Sequence, residues 1–306
     1  MKILSATDLL PKSEAAIDRA GFLADSLAAP LAVLHAVPPD APGGATLEQR
    51  VRRADSRLTA RTSAHAWRWV SQPQIAVRCG HPARVVLDVA YRQMAGLVVL
   101  GPHRVDPLAD AVTGTITEKI LGAAACPVLI AREECEGHYR RVLVALDGMP
   151  HGGEIVRVLE SLGLTRESRA TIVHAHEPPY AGMMNVVGVG AEAASAYVHS
   201  SRAQAAAHVE RLVRKHSENP RRFDIAVVDQ PPATAILGAI DAIEPDLVVL
   251  GTRGHGRFRR ALLGSTASDV LRAARGDVLL VPDRAVRAAL AERGAPASPR
   301  GSSAHL

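Results

Sequence analysis

The chain carries the same pattern twice, and this duplication constrains its fold more than any other feature. The segment "GLVVLGPHR" at 96–104 recurs as "DLVVLGTRG" at 246–254, and "ILSATD" at 3–8 recurs as "VLVALD" at 142–147. A period this long is the size of a folded domain rather than of a short structural unit. The 306 residues therefore predict two copies of one domain.

The distance between matching segments changes once along the chain. It is 139 residues for the first segments and 150 for the later ones, so the second copy has 11 extra residues between Glu177 and Phe223. We assign them to 180–190, which is rich in Gly and Met. Met183 and Met184 in this segment are either an adaptable apolar lid over a ligand or part of a mobile insertion.

Each copy alternates short apolar runs with longer amphipathic segments. Runs such as "LAVLHAV" at 31–37 and "RVLVALD" at 141–147 suit strands buried on both faces, hence parallel strands covered by helices. The segments 12–28, 44–70 and 191–216 have helical spacing, and so does 264–274. The pattern predicts an α/β fold of two tandem, doubly wound, Rossmann-like domains, with helices on both faces of each sheet.

Composition also suggests where the domains begin and end. We expect an N-terminal domain at 1–132 and a C-terminal domain at 140–283, joined by a linker around "EECEGHY" at 133–139. Residues 284–306 are rich in Ala, Arg, Gly, Pro and Ser, and the end of this tail is predicted to be disordered.

Several classes of protein are disfavoured by the composition. Aromatic residues are 3% of the chain, which argues against a stacking surface for single-stranded nucleic acid, and no nucleic-acid-binding motif is present. The three cysteines are too few and too scattered for a disulfide framework. Because neither a signal peptide nor a membrane-spanning run is evident, we expect a cytoplasmic protein that does not bind membranes. The net charge of +5 is compatible with an anionic partner but is more simply explained by a solvated surface.

The segment "GTRGHGRFRRALLGS" at 251–265 is the strongest functional signal. It follows the apolar run "LVVL" and combines glycines, basic side chains such as Arg253, His255 and Arg257, and the hydroxyl of Ser265 before a helical segment. Ligands of open α/β sheets bind at the carboxyl ends of the strands, and a helix N-terminus attracts anions. These features together predict a site for a phosphate-bearing ligand, although neither a Walker A loop nor G-x-G-x-x-G is present.

The spacing Gly251-x2-Gly254-x9-Gly264-Ser265, after the strand "LVVLG", resembles the signature of the universal stress protein family. Asp147 at the end of a strand, "VHA" at 173–175 and the closing strand "DVLLVP" add to the resemblance, which covers residues 1–282 as two tandem copies. It implies that each domain has five parallel strands in the order 3-2-1-4-5.

In nucleotide-binding members, the resemblance implies a defined role for each matching position. Asp147 would contact adenine and Ala175 would pack against the base. The first two glycines, Gly251 and Gly254, would pass the ribose and phosphates, and the pair Gly264 and Ser265 would hold the phosphate chain. Ala175 stands where the family often has Val, so the base would be packed more loosely. The resemblance implies ATP or a related adenine nucleotide as the ligand, possibly with Mg²⁺, and Arg253 and His255 would add positive charge.

The first copy departs from this signature. In "GPHRVDPLADAVTGT" at 101–115, Gly101, Gly114 and Thr115 keep their places, but Arg104 replaces the second glycine. Its side chain would occupy the space that phosphates need, and Asp106 and Asp110 would repel them. We predict that the N-terminal domain has lost nucleotide binding and serves as a structural or partner-binding copy.

Simpler explanations exist for several of these residues. A glycine after a buried strand is often only a turn former, and Gly-Ser before a helix is often only a cap. His174 and His176 share one strand face and have the spacing of a metal-binding pair, but no third ligand is evident, which favours a structural role. Trp67 and Trp69 are expected to pack in a core or an interface.

Three classes of function remain open. The favoured one is a stress-response regulator or sensor that binds ATP in its C-terminal domain and whose surface is read by an unidentified protein partner. The alternatives are an enzyme with at most slow ATP hydrolysis, which would need a positioned base and a metal site, and a nucleotide-free interaction scaffold. The two domains are expected to pack about a pseudo-twofold axis through their fifth strands, like a dimer within one chain, and a homodimer is also possible.

Overall fold

The computed structural model of the chain describes residues 1–40, 44–65, 72–102, 115–147, 151–178, 183, 190–251 and 264–283. The elements of the N-terminal half are β1 (Lys2–Thr7), α1 (Glu14–Ser26), β2 (Leu31–Val37), α2 (Leu47–His65), β3 (Gln74–Cys79), α3 (Pro82–Arg92), β4 (Ala95–Leu100), α4 (Ile116–Ala123) and β5 (Val128–Ile130). Those of the C-terminal half are β6 (Arg141–Ala145), α5 (Gly152–Ser161), β7 (Arg169–Ala175), α6 (Ala191–His216), β8 (Phe223–Val228), α7 (Pro232–Ile243), β9 (Leu247–Gly251), α8 (Ser265–Ala273) and β10 (Asp277–Val281).

The described strands form one ten-stranded sheet in the order β3-β2-β1-β4-β5-β10-β9-β6-β7-β8. Within each half all neighbouring strands are parallel. Each half therefore has the predicted order 3-2-1-4-5, and the doubly wound α/β prediction is confirmed.

Helices cover both faces of this sheet. One core joins side chains of α1, α2, α5 and α6, for example Ile17, Leu58, Ile155 and Val209, to one face. The other core joins α3, α4, α7 and α8 to the opposite face. The continuous apolar runs in the sequence follow from this arrangement, because strands such as β10 are buried along their whole length.

The two halves meet at their fifth strands, as expected from the duplication. Ile130 lies opposite Val278 and Val128 opposite Leu280 in an antiparallel pair. Because this pair is antiparallel, the carboxyl ends of the strands in one half lie at the opposite sheet edge from those in the other half. Any ligand sites of the two halves are therefore far apart.

A buried carboxylate holds this junction together. Asp277, the first residue of β10, is 1% exposed. Its Oδ2 accepts a hydrogen bond from the Tyr139 hydroxyl at 2.5 Å and forms an ion pair with Arg19 Nε of α1 at 3.2 Å. Burial and the nearby carboxylate raise the pKa of Tyr139 well above its usual value, so the phenol stays protonated and can donate.

The linker is fixed by the same carboxylate. The backbone N–H of Arg132 donates to Asp277 Oδ1 at 2.8 Å, and Arg19 Nη1 donates to the carbonyl of Gly137 at 2.6 Å. Gly137 has a φ of +117°, which favours glycine. Residues of both halves and of the linker thus converge on one buried charge.

Part of the extra length in the second copy is helical, and the assignment of the 11 extra residues to 180–190 stays a prediction. Helix α6 has 26 residues, whereas its counterpart α2 has 19 described residues and begins with Leu47. The buried residues Leu58 in α2 and Val209 in α6 serve as matching points. Counted from these residues towards the N-terminus, α6 is about two turns longer than α2. The difference therefore lies partly in a helix, and of segment 180–190 only Met183, which is 62% exposed, and Gly190 belong to the described residues.

The predicted tail 284–306 and the residues Trp67 and Trp69 lie outside the described part of the chain, so these interpretations stay predictions. In the part that is described, no helix is long and apolar enough to cross a membrane.

Replacing Asp277 with Asn should weaken the whole fold. The change leaves the buried Arg19 charge without its carboxylate, and breaking a buried pair in this way lowers the free energy of unfolding by about 3 kcal/mol. Urea denaturation of the full chain measures this. Asp269→Asn is the control, because its ion pair with Arg272 is exposed and contributes only about 0.5 kcal/mol. Equal, small losses in both variants would contradict the role given to Asp277.

Candidate functional site

The described members of the predicted site lie at the carboxyl edge of the C-terminal half of the sheet. Strand β6 lies between β7 and β9, with Ala145 opposite Val173 and Val144 opposite Val249. When these registers are continued, Asp147 is level with Ala175 and Leu146 is level with Gly251. This is the point where the strand order reverses, which is where open α/β sheets bind ligands.

Helix α8 presents an open N-terminus at this edge. It begins at Ser265, with Gly264 at the N-cap position, no side-chain cap and no acidic residue in its first turn. Ser265 is exposed, and its hydroxyl has no hydrogen-bond partner among the described residues. The free N–H groups and the positive end of the helix dipole favour an anion here. Ser265 is thus not a capping residue, so that simpler explanation does not apply to it.

The corresponding helix of the N-terminal half is closed by its own side chains. Thr115 is the N-cap of α4, and its hydroxyl accepts a hydrogen bond from the N–H of Glu118 at 3.0 Å. The Glu118 carboxylate in turn accepts from the N–H of Thr115 at 2.9 Å, which completes a capping box. A carboxylate therefore stands where α8 offers space for a phosphate. Sequence reasoning missed this feature, although the spacing Thr-x-x-Glu at 115–118 is its usual signal.

The first glycine of each copy is explained by packing. A Cβ on Gly251 would lie 2.8 Å from Nε2 of His151, which precedes α5, and a Cβ on Gly101 would lie 2.9 Å from the backbone Cα of Ser13. At Gly101 the backbone before α1 approaches too closely for a side chain, whereas at Gly251 the close neighbour is the ring of His151. Packing against His151 is therefore one reason for a glycine at 251 whether or not a ligand is bound.

Packing does not explain Gly264. Within the described residues, a Cβ placed on Gly264 would meet nothing within 4 Å, and its φ of −59° suits any residue. Among the described residues, no atom occupies the space in front of Gly264.

The histidines at the ends of β2 and β7 have equivalent structural roles. His174 Nδ1 donates to the carbonyl of Leu146 at 2.8 Å, and His35 Nδ1 donates to the carbonyl of Thr7 at 2.8 Å. Burial lowers the pKa of His35, which keeps that ring neutral. His174 thereby holds the backbone directly before Asp147.

His176 also has a protein partner, since its Nε2 lies 2.8 Å from the hydroxyl of Ser201 on α6. Across the described ranges, no group of three His, Cys, Asp or Glu side chains is arranged to hold a metal ion. The structural interpretation of His174 and His176 is therefore favoured over a metal pair.

The remaining predicted residues cannot be placed. Arg253, Gly254 and His255 lie outside the described residues, as do Arg104 and Met184. Their roles stay predictions from the sequence.

Comparison with known proteins identifies the family. A model described as the universal stress protein family matches residues 1–132 and again residues 138–282. The chain belongs to the universal stress protein family. It is therefore a tandem member, with one family domain in each half of its sequence.

Similar proteins carry the same family name. A universal stress protein of Thermus aquaticus is 30% identical over 143 residues, which are 47% of this chain and 98% of that protein. A universal stress protein of Mycobacterium tuberculosis is 26% identical over 190 residues, and this match covers 61% of each chain.

A solved structure that spans nearly the whole chain supports the same fold. The crystal structure of a universal stress protein from Archaeoglobus fulgidus has a TM-score of 0.63 at 17% identity and covers 92% of this chain and 98% of its own. A structure of a universal stress protein in complex with cAMP covers 43% of this chain and 96% of its own, with 18% identity and a TM-score of 0.37.

The two first glycines should respond differently to alanine. At Gly101 the added Cβ meets backbone, which cannot move away cheaply, whereas at Gly251 it meets an imidazole ring that can shift. We expect Gly101→Ala to lower the free energy of unfolding by about 2 kcal/mol and Gly251→Ala by about 1 kcal/mol or less. Urea denaturation distinguishes them. The double variant Gly251→Ala/His151→Ala should lose less free energy of unfolding than the sum of the losses in the two single variants. A loss equal to that sum would refute the contact between the two positions.

Proposed function

We propose that the C-terminal half binds an adenine nucleotide, ATP or a close relative, with its phosphates at the N-terminus of α8. The observation that carries this proposal is the difference between two helices of the same origin. Helix α4 is capped by Thr115 and Glu118, whereas α8 begins at Ser265 after the N-cap Gly264, and among the described residues no side chain caps its first N–H groups. An uncapped helix N-terminus beside a strand switch point is a site for a phosphate.

The other site residues have roles that the family signature suggests. When the register of β6 and β7 is continued past Ala145, Asp147 is level with Ala175, and these two residues would receive the base. Gly254 would let the backbone approach the phosphates, while Arg253 and His255 would supply positive charge to bind ATP or MgATP. His174 would support this arrangement by fixing the carbonyl of Leu146 beside Asp147.

We further propose that binding, rather than catalysis, is the function. The protein would act in the cytoplasm as a stress-linked regulator whose surface changes when the nucleotide is bound, and a protein partner would recognise that surface. Slow ATP hydrolysis is the alternative, and phosphate release measured alongside binding separates the two.

Titration calorimetry with MgATP tests the proposal directly, after the purified chain has been freed of any co-purified nucleotide. We expect one site per chain. Ser265→Glu should reduce the affinity at least 30-fold, because it places a carboxylate in the first turn of α8 as Glu118 does in α4. Ser265→Ala removes only one hydroxyl donor and should reduce affinity about threefold to tenfold.

Two further variants sharpen the test. Gly254→Arg introduces the residue that the first copy has at the matching position, Arg104, and should abolish binding of MgATP. Glu118→Gln changes only the N-terminal half and should leave affinity and stoichiometry unchanged. An unmodified chain that does not bind MgATP, or a Ser265→Glu variant that binds it normally, would refute the proposal and leave a nucleotide-free scaffold.

A further inference from the structure

The opposite end of the candidate phosphate helix is held by Arg132, the last residue of the N-terminal domain. Arg132 follows β5, and its Nη1 donates to the carbonyl of Ala274 at 2.5 Å while its Nη2 donates to the carbonyl of Leu271. Leu271 lies in the last turn of α8, and Ala274 is its C-cap. One guanidinium from outside the C-terminal domain thus binds two carbonyls at the end of α8 that lack intrahelical partners.

Arg132 is itself fixed at the junction between the halves. Its backbone N–H donates to Asp277 Oδ1 at 2.8 Å, and the residues before it pair with β10 in the antiparallel ladder. The side chain is half-buried, which lowers the pKa of the guanidinium, but its charge lies at the negative end of the α8 dipole. We call this pair of hydrogen bonds, from the Arg132 guanidinium to the carbonyls of Ala274 and Leu271, the clamp.

The matching position after β10 cannot form the same clamp. The repeat distance of 150 residues places Pro282 in the position of Arg132, and proline has no side-chain donor. Among the described residues, the guanidinium clamp therefore occurs at α8, the helix whose N-terminus has no side-chain cap.

We infer that Arg132 is a positioning residue that couples the domain junction to nucleotide binding at the other end of α8. This inference rests on the proposed function of the C-terminal half. Helix α8 has nine residues, about 13 Å, and packs into the core through Ala267 and Val270, so it moves as one rigid rod. A shift at Ala274 is transmitted to Gly264 and Ser265, where phosphate hydrogen bonds tolerate only a few tenths of an ångström. By linkage, bound nucleotide must also stabilise the clamp.

Affinity for MgATP in the full chain is the first readout. Arg132→Ala should weaken binding about tenfold, and Arg132→Lys should restore part of it, because an ammonium keeps the charge but not the two-armed geometry. Two matched controls separate positioning from general weakening. Tyr139→Phe removes a hydrogen bond to Asp277 without touching α8, and Arg140→Ala removes an exposed charge at the start of the C-terminal domain. Both should change affinity less than twofold.

Hydrogen exchange is the second readout and does not depend on nucleotide. The N–H of Ser268, which donates to the carbonyl of Gly264, should exchange faster in Arg132→Ala than in Tyr139→Phe. In the unmodified chain, MgATP should slow hydrogen exchange at the backbone N–H of Arg132. In Arg132→Ala, MgATP should not slow exchange at the same backbone N–H, once the data are corrected for the fraction of chains that have nucleotide bound.

The outcomes separate the two proposals. No MgATP binding by the unmodified chain overturns the proposed function, while Ser268 exchange still decides whether Arg132 positions α8. Normal affinity and normal Ser268 exchange in Arg132→Ala overturn the positioning role. Equal losses of affinity in Arg132→Ala and Tyr139→Phe, at equal losses of melting temperature, also overturn it, because they indicate general loosening of the junction.

Discussion

The buried charge of Asp277 is the constraint on which the arrangement of the two halves depends. A carboxylate that is 1% exposed is tolerated only when donors surround it, and its donors come from α1 and from both ends of the linker. These contacts bring β5 and β10 together as an antiparallel pair. The pairing covers what would otherwise be an open edge in each half and joins two five-stranded sheets into one.

The duplicated domains then diverged on a shared scaffold. Both copies retain the strand order, a close approach at the first glycine, and a histidine that holds the loop after the first strand. They differ at the start of the last helix, where the N-terminal copy supplies its own carboxylate and the C-terminal copy leaves the N–H groups available to a ligand. The proposed loss of binding in the first copy therefore has two independent physical reasons, Glu118 at the helix and Arg104 in the loop sequence.

Much of the fold was predictable because it is encoded locally. Apolar runs marked the buried strands, and the repeat fixed the number of domains and the symmetry of their contact. Helix α6 spans the whole of the predicted segment 191–216. Helix α2 begins at Leu47, three residues after the start of the predicted segment 44–70, so the pattern located this helix without giving its first residue.

The candidate site was predictable in part for the same reason. Glycine spacing and Ser265 indicated the candidate anion site. The spacing Thr-x-x-Glu at 115–118 also indicates a capping box, but this signal was not used. The roles of Asp277 and Arg132 could not be inferred from the sequence, because each acts on residues about 140 positions away across the antiparallel junction. Such contacts appear only once the relative direction of the two sheets is known.

A crystal structure of the full chain with a non-hydrolysable ATP analogue and Mg²⁺ would test the central claim most directly. The account predicts density for one nucleotide per chain, with phosphates against the N–H groups that follow Gly264 and the base between Asp147 and Ala175, and no nucleotide at Thr115. A nucleotide bound at α4, or at any place other than the N-terminus of α8, would contradict it.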